Sequence, residues 1–292
     1  MKLDVDVDTV QHLVTRAEVS PNIFQTYTVV AACLFIPITG AIWHTPYIRD
    51  AFVGPKIFVI FTHEMFHVIM GVLCGGRLQA FVIDPNLGGY TGISGLNRTL
   101  PRFPDPHAIL TPDQLYWSPR GMATLVAGPI GSAVVGFIYI FAGFDIVASK
   151  IASFTIAPGL LVAGWYGLHW ITYVSVVCSE AVLVGMWFGS HGSTLRFLVL
   201  FFGMLHSNQA NTGVNHLFYS LWDYLEETVF GKTNPSDCHE LQRHLGVPAE
   251  KWLALIFLFE ALVFMAAIMA DIVVFKKTPE QMYADAAGFL PT

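Results

Sequence analysis

Ile57-Phe58-Val59-Ile60-Phe61-Thr62-His63-Glu64-Met65-Phe66-His67-Val68-Ile69-Met70-Gly71-Val72-Leu73 is the stretch on which the reading of this chain turns. The run is strongly apolar, and set inside it is the polar group His63-Glu64-Met65-Phe66-His67, an H-E-x-x-H motif. Histidines four residues apart fall on one face of a helix, one turn above the other. Both imidazoles can then reach one Zn²⁺, with the intervening glutamate beside the open coordination position. Polar groups at membrane depth are costly unless partnered, so a triplet of them marks function. Metal, carboxylate and lipid together imply peptide-bond hydrolysis within or beside a bilayer.

Composition carries the same message. The chain has 292 residues, 54% of them hydrophobic and 12% charged, with mean hydropathy +0.57. A soluble domain holds about 25% charged residues, so the expected class is an integral, multi-pass membrane protein with the lipid bilayer as its solvent. A net charge of −6 without a basic cluster excludes nucleic acid as a partner. Residues 1–20 are acidic (Asp4, Asp6, Asp8, Glu18) and lack an apolar centre, which is unlike a cleavable signal peptide. The first apolar segment is therefore expected to serve as a signal anchor. Cys33, Cys74, Cys178 and Cys238 match neither a disulfide framework nor a zinc ribbon.

A membrane helix needs about 20 mainly apolar residues. Residues 27–43, 56–73, 121–144 and 252–275 meet that need, and 156–189 reads as two short helices or one long tilted one. Residues 195–206 are apolar but short; they lead into the polar string 207–213, and apolar character resumes over 214–225. Helix, polar break, helix is the pattern of an interrupted membrane segment lining a site. The expected fold is thus an all-α polytopic membrane protein with about six transmembrane helices. A small β-hairpin-like loop follows the motif helix, with residues 78–83 as a short strand and the glycines near 88–89 as a tight turn. The organisation is a tail (1–26), a transmembrane metallopeptidase-like domain (27–275) with its main loop at 74–119, and a C-terminal tail (276–292).

The N-terminal tail and the main loop are expected to share one side. Their Lys2, Arg16, Arg77, Arg98, Arg102 and Arg120 then favour a cytosolic placement over the loop bearing Arg49 and Lys56 and the turn bearing Lys150. A glycan on Asn97, in the acceptor sequence Asn97-Arg98-Thr99, would reverse this orientation.

A catalytic zinc takes three protein ligands and keeps one position open. His63 and His67 supply two, and Asp223, on the second half of the interrupted segment, is the expected third. His206 and His216 are rival ligands. Glu226 and Glu227 read as solvated, and His169 and His191 as helix-end or interfacial residues.

With these residues in place, the chain resembles the site-2 protease superfamily of intramembrane zinc metalloproteases, and most closely its site-2-like membrane peptidase branch. The resemblance spans roughly residues 58–238. It rests on the combination of His63-Glu64-x-x-His67, Gly75-Gly76, Asp84-Pro85-Asn86-x-Gly88-Gly89 and Ala127-Gly128-Pro129-Ile130-Gly131-Ser132. Ser236-Asp237 resembles a Ser-Asp step that follows the acidic ligand segment in that branch. The superfamily's second signature, Asn-x-x-Pro-x-x-x-Leu-Asp-Gly, is matched by Asn215 and Asp223 at the same separation, while Phe218, Trp222 and Tyr224 stand where it has Pro, Leu and Gly.

The resemblance implies one Zn²⁺ per chain and Glu64 as general base. It also implies Asn215 as a donor to the substrate backbone or oxyanion, and transmembrane proteins as substrates. The competing expectations are a non-catalytic membrane protein of the same fold that binds client transmembrane helices, and a metal transporter.

Overall fold

A backbone in lipid must satisfy its own hydrogen bonds, so the apolar runs become helices. The computed structural model describes residues 20–44, 48, 51–84, 88–96, 118–167, 169–207 and 236–290. In chain order the described elements are α1 (Ile23–His44), α2 (Val53–Leu73), β1 (Arg77–Asp84), β2 (Gly88–Ser94), α3 (Pro119–Ala142), α4 (Ile146–Tyr166), α5 (Trp170–Phe188), α6 (Leu195–Ser207), α7 (Asp237–Leu245), α8 (Ala249–Val274) and α9 (Pro279–Phe289). Helices α2, α3, α4, α5 and α8 are long and apolar enough to cross a membrane; α1 and α6 contribute shorter apolar stretches. The architecture is the expected one: all-α, about six spans, and a small two-stranded sheet after the motif helix.

Of the two readings of 156–189, two separate helices is the one found, and the first begins ten residues earlier, at Ile146. Gly88, at φ 81° where the hairpin closes, and Gly89 open β2, which pairs antiparallel with β1 through Ile83↔Gly89, Phe81↔Thr91 and Arg77↔Ser94. The start of α1 and the end of the hairpin lie at opposite ends of the bundle, against the expectation that the segments joined to them share one side. Gln25, at the start of α1, donates its side-chain amide to the carbonyls of Asp271 and Phe275, and the Phe275 ring packs at a tilt against Phe141 near the end of α3. The main loop instead meets the beginning of α3, where the Ser118 hydroxyl donates to the Leu96 carbonyl. Those two ends of α3 are about 36 Å apart, its 24 residues rising about 1.5 Å each. The chain from Ile23 to Leu73 therefore makes one net traverse, and basic residues populate both ends, with Lys150, Lys276 and Lys277 at one and Arg77 and Arg120 at the other. Asn97, the prolines of the main loop and the interrupted segment after Ser207 lie outside the described residues.

Lipid tails are as apolar as leucine, so helices in a membrane associate through close packing, and small residues permit it. A Cβ on Gly203 of α6 would lie 2.6 Å from the backbone nitrogen of Ile140 on α3. Gly131 of α3 receives the ring of Phe66, which locks α3 onto the motif helix. The main core fills the space between α2, α3, α4, α5 and α6 with Ile57, Phe58, Ile60, Tyr139, Ile156, Leu160, Val176 and Phe202.

Two elements follow from local signals. In α7, Ser236 caps the N-terminus, Cys238 and Leu241 are buried against Met122, Leu125 and Trp252, and Gly246 ends the helix at φ 66°. In α9, which forms within the stretch read as a C-terminal tail, Thr278 and Gln281 make a capping box behind Pro279.

Candidate metal centre

The motif helix α2 presents His63 and His67 to α3. The His67 Nδ1 lies 2.7 Å from the Thr124 carbonyl oxygen, which only accepts, so Nδ1 carries the proton and Nε2 is bare in the neutral ring. The His63 Nδ1 lies 3.1 Å from the Ser132 hydroxyl. Both contacts come from α3 and turn the two Nε2 atoms toward each other at 3.1 Å. A carboxylate closes the set: Asp237 Oδ2 is 3.0 Å from His63 Nε2, and Oδ1 is 3.4 Å from His67 Nε2. The three side chains form a group whose ligand atoms all lie within 4.8 Å of one another.

The donor set fits zinc. Ligands at about 2.0–2.1 Å in tetrahedral arrangement are about 3.3 Å apart, the spacing seen here. Two imidazole nitrogens and a carboxylate this close to one another need a cation or protons among them. The second shell fits as well, since a metal-ligating histidine typically donates its other N–H to a carbonyl or carboxylate, as His67 does to Thr124. Burial alone would raise the Asp237 carboxyl, but positive charge on His67 and His63, when protonated, outweighs it and holds the group below the usual carboxylate range.

Gly128 explains why the Ala-Gly-Pro stretch lies where it does. A Cβ at this position would collide with Nε2 of both His67 and His63, so only glycine leaves the metal position free. Gly128→Ala is expected to weaken zinc binding at least about tenfold, as outer-shell changes at metal sites typically do. The readout is a competition titration with a chromophoric chelator. Wild-type affinity in a folded Gly128→Ala protein would remove Gly128 from the site.

Glu64, beside the histidine pair, also meets the hairpin. It is 6% exposed, and its Oε2 accepts a hydrogen bond of 2.6 Å from the Thr91 hydroxyl of β2. Gly89, two residues earlier on the same face of the strand, leaves the room that the Glu64 carboxyl group occupies.

The structure therefore brings His63, Glu64 and His67 together as the sequence motif requires. The expected Asp223 and Asn215 lie outside the described residues, and the carboxylate found at the histidine pair is Asp237. The signal for it was the Ser236-Asp237 step followed by an amphipathic pattern, with Cys238 and Leu241 on one face. His206 is not in the group: its Nδ1 donates to the Phe202 carbonyl, and its ring packs edge-on against Phe58 and Tyr139. His169 caps α5 and pairs with Asp84 at 3.8 Å, and His191 lies in the short helix after α5, both at helix ends as expected.

Two buried histidines on a membrane-length helix and a half-buried carboxylate from the short α7, with a glutamate next to the first histidine, form a group that could hold a metal ion. The chain belongs to the Peptidase M50B-like family, the site-2 protease family of intramembrane metalloproteases, which it matches over residues 26–103 and 116–267. No curated protein and no solved structure matches it.

Proposed function

We propose that the protein is a zinc-dependent intramembrane endopeptidase that hydrolyses peptide bonds of membrane-protein substrates. The observation that carries this reading is the convergence of His63 Nε2, His67 Nε2 and an Asp237 oxygen on one buried position, with Glu64 one residue from the first ligand on the same helix. His63, His67 and Asp237 would hold the ion. A bound zinc supplies Lewis acidity, lowering the pKa of a water at its open position to about 7 and polarising the scissile carbonyl.

Glu64 takes the proton from the attacking water and later delivers it to the leaving amine. Ser132 and Thr124 hold the two imidazoles in the orientation that aims Nε2 at the ion. Asn215 is proposed, on the family resemblance, as a donor toward the substrate backbone or oxyanion.

The hairpin serves the substrate. A helical peptide hides its carbonyls in its own hydrogen bonds and must open before attack. A strand edge can hold an opened peptide by backbone pairing. At its tip, β1 is bridged on its outer side by Gly167 at Ile83, which leaves the edge of β2, beside Glu64, for a peptide.

The test uses purified protein in detergent with fluorescein-labelled β-casein as an unfolded probe. Cleavage is expected, is abolished by 1,10-phenanthroline, and returns on adding zinc. A zinc-loaded protein that cleaves neither the probe nor any co-expressed membrane protein would turn the reading to a non-catalytic client-binding role.

A further inference from the structure

Glu64 carries two carboxylate oxygens, and β2 treats them differently. Oε2 accepts the Thr91 hydroxyl proton at 2.6 Å, within the range of about 2.5–2.7 Å typical of O–H···O⁻ bonds. A hydroxyl has one proton to donate; the longer approach of the same oxygen to the Glu64 carbonyl, 3.4 Å, competes weakly for it. At Gly89, an added Cβ would overlap Oε1, Cγ and Cδ of Glu64. Residues 89 and 91 are two apart on a strand and face the same way. The strand thus binds one oxygen and makes room for the rest of the group.

The strand is itself held in place. Thr91 pairs with Phe81 and Gly89 with Ile83. The Phe81 ring packs edge-on against Phe61 of α2 at 5.9 Å and Tyr166 of α4 at 5.2 Å. Ile83 is buried and bridged to Gly167. Hairpin, motif helix and the α4–α5 junction therefore fix the distance between Thr91 and Glu64.

We propose that Thr91 is a positioning residue for Glu64: its hydroxyl holds one carboxylate oxygen so that the other is presented to the reacting water and the leaving amine. This rests on the peptidase reading above. General acid–base groups contribute about 10²–10⁴-fold to rate, and that contribution depends on hydrogen-bond reach to the proton being moved. A carboxylate free to rotate loses part of it.

The test compares wild type, Thr91→Val and Thr91→Ser, with zinc content measured on each. Valine keeps the shape and removes the hydroxyl; serine keeps the hydroxyl. With labelled β-casein as probe, Thr91→Val is expected to lower kcat about 10–100-fold, with KM and zinc content unchanged. Thr91→Ser is expected to stay within about threefold of wild type, since it retains the donor. A purely structural role would impair both variants alike, or would lower zinc content. A second readout needs no turnover: the Glu64 carboxylate stretch, isolated as an infrared difference against Glu64→Gln. It is expected to shift in Thr91→Val and to hold its wild-type position in Thr91→Ser. Retained kcat in Thr91→Val, equal damage in both variants, or an unmoved band in Thr91→Val overturns the proposal. If wild type cleaves nothing, the peptidase reading is the one that fails, and the infrared band still decides whether Thr91 holds Glu64.

Discussion

Asp237→Ala is expected to leave a folded protein without zinc. The remaining ligands, His63 and His67, are neutral imidazoles, and two such donors hold a divalent ion far more weakly than two donors with a carboxylate. The expected loss of affinity is on the order of 10³-fold, a fraction of the total free energy that structural zinc sites derive from their full ligand sets. Folding should survive the change. Asp237 is the first residue of α7, the Ser236 cap that accepts from the His239 N–H remains, and Cys238 and Leu241 keep the helix on α3 and α8. Asp237→Asn keeps the volume and loses the charge, so it should bind zinc nearly as poorly. The measurement is zinc per chain by mass spectrometry after gel filtration, with Asp223→Ala prepared in parallel and expected to retain the metal. The opposite pattern, zinc lost with Asp223 and kept without Asp237, would hand the third position back to the interrupted segment.

That experiment bears on what the sequence makes legible. Long apolar runs are read easily because a bilayer imposes one length on every span, and α2, α3 and α8 fall close to where such runs predict them. Residues 146–155 are harder, because Ser149, Lys150 and Ser153 depress the hydropathy there. Each is satisfied internally: Ser149 donates to the Ala142 carbonyl, Ser153 to the Lys150 carbonyl, and the Lys150 ammonium to the Ala286 and Leu290 carbonyls at the end of α9. Only the packed structure supplies those acceptors, so a linear pattern undervalues the helix. Gly89 misleads in the same way. A glycine pair suggests a turn, but at Gly89 the absence of a side chain serves the close approach of β2 to Glu64.

The metal site divides along the same line. His63, Glu64 and His67 are legible because four-residue spacing on a helix dictates their geometry. The carboxylate that meets the histidine pair comes from far along the chain, on a short amphipathic helix. Its position depends on how α7 packs on α3 and α8, and no local period encodes that. A Ser-Asp step is common at helix starts for capping reasons alone, so Asp237 stands out as a candidate ligand only when it is seen 3.0 Å from His63. The second-shell partners are less legible still: Thr124 acts through its backbone carbonyl, which any residue type carries.

Glu64→Gln is expected to lower kcat by about 10³–10⁴-fold while leaving zinc bound, near the upper range for loss of a general acid–base group. Glutamine is the cleaner substitution at this position. It matches the volume of glutamate against Gly89, so it opens no cavity. Its side-chain oxygen can still accept the Thr91 hydroxyl proton, so the hairpin stays seated on α2. What it cannot do is take a proton from water and return it to an amine. KM should change little, because Glu64 contributes to moving the proton rather than to holding an extended peptide along β2, and a loss confined to kcat is the signature of an interaction made in the transition state. The measurement pairs steady-state cleavage of labelled casein with zinc content on the same preparation. Zinc retained with cleavage gone makes Glu64→Gln a trap, able to bind membrane-protein substrates and hold them uncut for identification by crosslinking. Cleavage retained at more than about a tenth of the wild-type rate would remove Glu64 from proton transfer. The hydrolysis would then have to draw its base from outside the H-E-x-x-H motif.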